Sequence, residues 1–187
     1  IMLHATEEQL KKIKKCLLTK PTRSISGVTP IAVMSAPYGC PHGKCTFCPG
    51  GPGSVFGDVP QSYTGREPST MRAIRAGYEP YIIVFNRLEQ YVVSGHHPQK
   101  AEIIIQGGTF PAMPEEYQVQ FMSDIYQALN DFSALFFRKK GNTKKETELN
   151  IEKVKEFFEL PRDIKKDRRP ERINQKILEV KNREGKF

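Results

Sequence analysis

No apolar run in these 187 residues approaches the ~20 that a membrane-spanning helix requires, and no secretory leader opens the chain. A membrane helix is excluded on those grounds, and a cytoplasmic protein is expected. Cysteine is scarce, with 4 in the whole chain. That argues against a disulfide-stapled secreted scaffold and for thiols kept reduced. Convincing core strands are scarce as well, since only two stretches read as buried parallel strands. The hydrophobic content of 38% and the mean hydropathy of −0.51 lie on the polar side of globular. The length still allows one domain with a sizeable core. The first residue is Ile1, not methionine, and the last residues are charged and helical in pattern, as expected of a piece excised from something longer.

Three of the four cysteines fall together in Cys40-Pro-His-Gly-Lys-Cys45-Thr-Phe-Cys48, directly after the apolar run Ile31–Ala36. Thiolate sulfur selects zinc, copper(I) or iron–sulfur clusters over hard cations. The spacing C-x4-C-x2-C offers three ligands and no obvious fourth, so on a four-iron cluster one iron would stay open to a substrate or cofactor. Two other readings use the same residues. His42 could complete a structural Cys3His zinc site in a non-catalytic RNA-binding module, although all four candidates then come from one short loop. A plant-type ferredoxin shares the order but has its fourth cysteine downstream, whereas Cys16 lies upstream.

The net charge of +8 is carried by the flanks, residues 1–29 and 138–187, around a slightly acidic middle. Basic flanks suit a polyanion, because neutralised phosphates release counterions. In the first flank Thr6-Glu-Glu-Gln9 forms a capping box, followed by a helix to about Leu18. Leu10, Ile13, Cys16 and Leu17 share one face, so Cys16 is expected as a packed thiol. Lys11, Lys12 and Lys15 lie on the other face and are candidates for RNA phosphates. In the second flank Lys165, Lys166, Arg168 and Arg169 make a further phosphate-binding candidate.

Between the flanks, Thr29–Ala36 is the first core strand. A long glycine- and proline-rich loop, Pro49–Pro68, follows, and a loop of that length in a compact domain is usually functional or disordered. Helices are expected from Ser69 through Tyr78 and from Pro80 to Gly95, then a second strand, Ala101–Gln106, ending in Gly107-Gly108-Thr109. Ligands bind beyond the carboxyl ends of parallel strands, and a glycine pair there lets backbone approach a ligand. Phe47 can stack over a bound group or pack in the core. Pro114–Phe132 is amphipathic. Residues 138–150 read as a charged linker, and helical patches follow at Ile151–Leu160 and Pro170–Lys181.

The cysteine loop, Pro49-Gly-Gly-Pro-Gly53, Gln61-Ser-Tyr-Thr-Gly65, Glu67-Pro68, Met71-Arg-Ala-Ile-Arg-Ala76 and Gln106-Gly-Gly-Thr-Phe110, in this order, resemble the radical S-adenosylmethionine (SAM) domain of the Elongator catalytic subunit family in an archaeal-looking version. The resemblance is specific from about Pro30 to Phe132. It departs in a first cysteine gap one residue longer than the usual C-x3-C-x2-C. It implies an α/β fold, an incomplete radical SAM (TIM-like partial) barrel, with an N-terminal basic helix (1–29), a β/α core (30–137) and a C-terminal basic linker and helices (138–187). It implies a [4Fe–4S] cluster on Cys40, Cys45 and Cys48, and SAM against Gly107, Gly108, Thr109 and Phe47. The family cleaves SAM to a 5′-deoxyadenosyl radical, takes hydrogen from acetyl-CoA and carboxymethylates the wobble uridine of tRNA. Lys100 matches a lysine the family uses near acetyl-CoA, and Arg72 and Arg75 lie in a segment that approaches the active site. The implied partners are tRNA and the rest of the same enzyme, namely the missing barrel strands and the acetyltransferase domain. The 187-residue piece is therefore expected to be inactive alone.

Overall fold

The computed structural model describes residues 6–18, 22, 25–139, 147–161 and 168–183. In chain order the elements are α1 (Glu7–Leu17), β1 (Thr29–Met34), α2 (Pro68–Arg75), α3 (Pro80–Val93), β2 (Ala101–Gln106), a 3-10 turn at Phe110–Ala112, α4 (Glu115–Phe136), β3 (Phe137–Lys139), β4 (Thr147–Leu149), α5 (Ile151–Phe157) and α6 (Arg169–Lys181). The fold is mixed α/β, as expected. β1 and β2 pair in parallel, from Thr29 opposite Ala101 to Met34 opposite Gln106, and α2 and α3 make the crossover between them. Among the described residues the sheet does not close into a barrel, and each of these strands keeps one unpaired edge.

Local chemistry explains the element ends. The Thr6–Gln9 capping box forms as expected: the Gln9 side-chain Oε1 accepts from the Thr6 backbone amide at 2.9 Å, and the Gln9 backbone amide donates to the Thr6 hydroxyl at 3.3 Å. α2 begins at Pro68 behind Glu67, one residue before the expected cap Ser69, because proline's fixed φ suits the first helical turn. It stops at Arg75, short of Tyr78, where Gly77 and Tyr78 take left-handed φ of 60° and 58°. Pro80 opens α3 for the same reason as Pro68 opens α2. α4 runs four residues past Phe132, because Leu135 and Phe136 continue its apolar stripe with no breaker.

α3 is the centre of the core. Tyr81, Ile83, Val84 and Phe85 are buried within it, and Phe85 meets Tyr81, Phe132 and Phe157 at centroid distances of 4.9, 5.5 and 6.4 Å. The Tyr81 hydroxyl donates to Asp131 at 2.7 Å. The C-terminal flank also joins this core through Leu149, Val154, Phe158, Ile173, Ile177 and Val180. Two expectations change here. The stretch read as a charged linker contains β4, which pairs antiparallel with β3, Phe137 opposite Leu149. And among the described residues nothing covers the apolar face of α1: Ile13 is 38% and Leu17 63% exposed, and Cys16 is exposed instead of packed.

Candidate metal and cofactor site

The site is built where the two parallel strands end. Beyond β1 the Ser35 amide extends the ladder by donating to the Gln106 carbonyl at 2.8 Å, and the Ala36 amide donates to the Tyr117 hydroxyl of α4 at 2.9 Å. The chain then turns into the cysteine loop. Cys40 Sγ lies 2.9 Å from the Thr109 hydroxyl, which follows the glycine pair at the end of β2. Cys45 Sγ lies 3.2 Å from His42 Nε2, and Cys48 Sγ 3.0 Å from the Ser62 hydroxyl. Turns at Cys40–Gly43 and Cys45–Cys48, each closed by a 3.0 Å backbone bond, keep the three cysteines on one short loop. Cys48 is buried, whereas Cys40 and Cys45 are half-buried.

The thiols sense one another. Burial, then the neighbouring Cys48 and Cys40 sulfurs, push Cys45 above the ordinary thiol value. The Ser62 hydroxyl and then the Gln61 amide hold Cys48 below it, because donors stabilise the thiolate. Among the described residues, however, no three or more of the His, Cys, Asp and Glu side chains gather closely enough to cage one metal ion. Cys40, His42, Cys45 and Cys48, the set required by the zinc alternative, therefore form no such cage.

The long loop after the cysteines is held by polar contacts to backbone. The Gly53 amide donates to Asp58 at 2.8 Å, Ser54 bridges Gly57, and the Ser62 amide donates to the Gly50 carbonyl at 3.2 Å. Its far end is tied to α2 by Glu67, whose carboxylate accepts from the Thr64 amide and hydroxyl at 2.9 Å each and from the Thr70 hydroxyl at 3.1 Å. Burial raises the Glu67 pKa, but these donors outweigh it and hold it at about 2, against an ordinary 4.5. A depressed carboxyl contributes stability that is complete above 4.5 and is lost as pH falls from there through about 2. Glu67→Gln is accordingly expected to flatten the acid limb of the stability profile, read from urea midpoints between about pH 6 and pH 3. An unchanged acid limb would show that these bonds hold nothing in place.

The glycine pair also has a local packing reason. A Cβ on Gly107, at φ +124°, would stand 2.0 Å from the Ser35 hydroxyl, and one on Gly108 would stand 2.6 Å from Gln61 Cβ. Ser35 and Gln61 close against these positions and leave no room for a Cβ, while Gly108 keeps an exposed side. Phe47 is 85% exposed, so its core reading falls and an outward aromatic face remains.

The other expected site residues lie apart from the loop. Lys100 is exposed at the amino end of β2, about 23 Å along the strand from Gly107 at ~3.3 Å per residue. Arg72 and Arg75 line a cleft of about 340 Å³ with Asn86, Glu89 and Asn174, between α2, α3 and α6 and away from the cysteines. Lys11, Lys12 and Lys15 are exposed on α1, Lys12 pairing with Glu8 at 3.2 Å, and Arg168 is exposed at the start of α6. Arg169 is turned inward, 8% exposed. Its guanidinium donates to Glu89 of α3 and to the Phe158 carbonyl, so it is a core ion-pair partner and offers nothing to a phosphate. Lys165 and Lys166 lie outside the described residues. Gln61 and Ser62 were not singled out from the sequence as site residues. Their only signal was their place in Gln61-Ser-Tyr-Thr-Gly65.

No family model matches the chain. Individual relatives do. The chain is 54% identical over 134 residues to a tRNA uridine(34) acetyltransferase of Methanocaldococcus jannaschii, covering 72% of this chain and 25% of that protein. It is 45% identical over 139 residues to Elongator complex protein 3 of Danio rerio, covering 68% of this chain and 25% of that protein. Against Elongator complex protein 3 of Saccharomyces cerevisiae the identity is 42% over 138 residues, covering 71% and 25%. The chain thus spans about a quarter of the length of these relatives. Over about 70% of its residues, it belongs to the Elongator catalytic subunit family.

Proposed function

We propose that this chain is the part of a tRNA wobble-uridine acetyltransferase that holds a [4Fe–4S] cluster on Cys40, Cys45 and Cys48 and binds SAM beside Gly107, Gly108 and Thr109, with acetyl-CoA as co-substrate. The observation that carries the reading is the 2.9 Å contact of Cys40 with Thr109, which joins the cysteine loop to the glycine-paired strand end. The donor set fits the group. Three thiols on one loop, each beside a separate hydroxyl or imidazole and not gathered round one point, suit one thiolate per iron better than one ion shared by all. Cluster and SAM, when bound, supply one-electron chemistry that takes hydrogen from an unactivated carbon.

The protein's own residues orient and shield. Ser62 and Thr109 hold the sulfurs, Tyr117 stops β1 at the right residue, and Phe47 offers a flat apolar face on which a base can stack. Exposed Lys11, Lys12, Lys15 and Arg168 are the phosphate contacts for tRNA. Lys100 stands far from the loop, so a role toward acetyl-CoA belongs to a surface that further chain would complete. Ile104 and Ile105 of β2 are 44% and 37% exposed, an apolar strand with room for more sheet in a partial barrel. Turnover by these 187 residues alone is therefore expected to be negligible.

Anaerobic iron–sulfide reconstitution followed by electron paramagnetic resonance, with and without SAM, tests the reading. A four-iron signal that shifts with SAM, disappears in Cys45→Ala and persists in Cys16→Ala is expected. A colourless protein retaining about one zinc per chain would replace this reading with the structural zinc module.

A further inference from the structure

Gln61 is 5% exposed, and among the described residues its Nε2 makes no hydrogen bond of ordinary length, the Cys48 sulfur being the acceptor it faces. A buried amide donor left unmatched is rare in a folded protein. The surroundings are shaped around this one side chain. A Cβ on Gly51 would stand 2.5 Å from Gln61 Oε1, and one on Gly108 would stand 2.6 Å from Gln61 Cβ. Two glycines, one in the cysteine loop's exit and one at the end of β2, thus leave the space that Gln61 occupies. Its neighbour Ser62 lies 3.0 Å from the Cys48 sulfur. The carboxamide is therefore locked, with its oxygen toward Gly51 and its N–H2 group turned to the one buried thiol of the loop without a bond of ordinary length.

We infer that Gln61 is a positioning residue for the bound cluster, its Nε2–H donating to the Cys48 side of the group when that sulfur is a metal-bound thiolate. The donor, which makes no bond of ordinary length here, then completes one in the loaded protein, where the acceptor carries charge and the bond is of the stronger, charge-assisted kind. Hydrogen bonds to cluster sulfurs raise reduction potential, and outer partners of metal ligands typically govern affinity by about 10–100-fold. Gln61 would contribute both effects from a position 13 residues after its sulfur.

This inference rests on the cluster reading above, and the test separates the two. Wild type, Gln61→Met (similar length, no donor), Gln61→Glu (same shape, no N–H when ionised) and Cys45→Ala are reconstituted anaerobically as full 187-residue chains. The reduction midpoint and the rate of iron loss to a chelator are then measured. Both Gln61 variants are expected to take up iron and to show lower midpoints, with a tenfold change in the reduction equilibrium corresponding to about 59 mV for one electron. Iron loss is expected to be at least about tenfold faster. If Gln61→Met fails to fold, the isosteric Gln61→Glu decides the matter alone. Midpoints and iron retention equal to wild type in a folded variant would overturn the role of Gln61 and leave the cluster reading standing. A wild type that takes up no cluster would remove the cluster reading and this inference with it.

Discussion

Arg169→Ala is expected to lower the unfolding free energy by about 3–5 kcal/mol, the typical cost of leaving one member of a buried ion pair without its partner. That is a large fraction of a total on the order of 5–15 kcal/mol. Arg169 and Glu89 are 10% and 14% exposed, so neither regains much water when the other is removed. The arginine also donates through Nε to the Phe158 carbonyl at 2.9 Å. One guanidinium therefore fastens the start of α6 to α3 and to the end of α5, beside the buried ring of Phe158. Replacing both charges, Arg169→Met with Glu89→Met, is expected to recover most of the loss, because hydrophobic substitutes of similar volume avoid the desolvation cost. Urea unfolding of the three variants measures this. If Arg169→Ala kept wild-type stability and weakened RNA binding instead, the inward placement would be refuted and Arg169 would rejoin the phosphate contacts.

Gly50→Ala is the second large effect. Its Cβ would lie 1.9 Å from the Tyr63 carbonyl oxygen and 3.1 Å from Val59 Cγ2. The first of these is backbone and cannot swing aside as a side-chain tip can. Segment 61–63 would have to move off residues 48–50, breaking the Ser62-to-Gly50 backbone bond and drawing the Ser62 hydroxyl away from Cys48. A loss of about 1–3 kcal/mol or more is expected from overpacking of this kind, together with poor iron uptake on reconstitution. Gly39→Ala, in the same loop but with nothing within 4 Å of its Cβ, is the control and is expected to be nearly neutral. Equal stability and iron content in the two variants would show that the approach of Tyr63 to Gly50 does not matter.

Much of the site's framework was legible in residue order alone. Cys40, Cys45 and Cys48 lie on one short loop whatever the fold, so their grouping needed only spacing. β1 announced itself as an apolar run of the kind expected for a parallel strand covered on both faces, and β2 as the short run Ile103–Ile105 before a glycine pair. Thr6 with Gln9, and Pro68 and Pro80 at helix starts, are local interactions spanning at most a few residues, and such rules travel with the sequence.

What only the tertiary structure decided concerns residues whose role depends on a partner distant in the chain. Periodicity placed Cys16 on an apolar face, but nothing in α1 says whether another element covers that face, and none of the described residues does. Composition marked Arg169 as one more cation in a basic run, yet Glu89, 80 residues earlier, draws it inward. The 138–150 stretch looked too charged to pair, and the hairpin of β3 and β4 exists because Phe137 and Leu149 face each other across it. Gly107 and Gly108 read as space for a ligand, and the first claim on that space belongs to Ser35 and Gln61. Each case has the same physical cause. A sequence shows which side chains prefer burial or charge, whereas chain closure determines what they are buried against, and that contact sets the chemistry of the site.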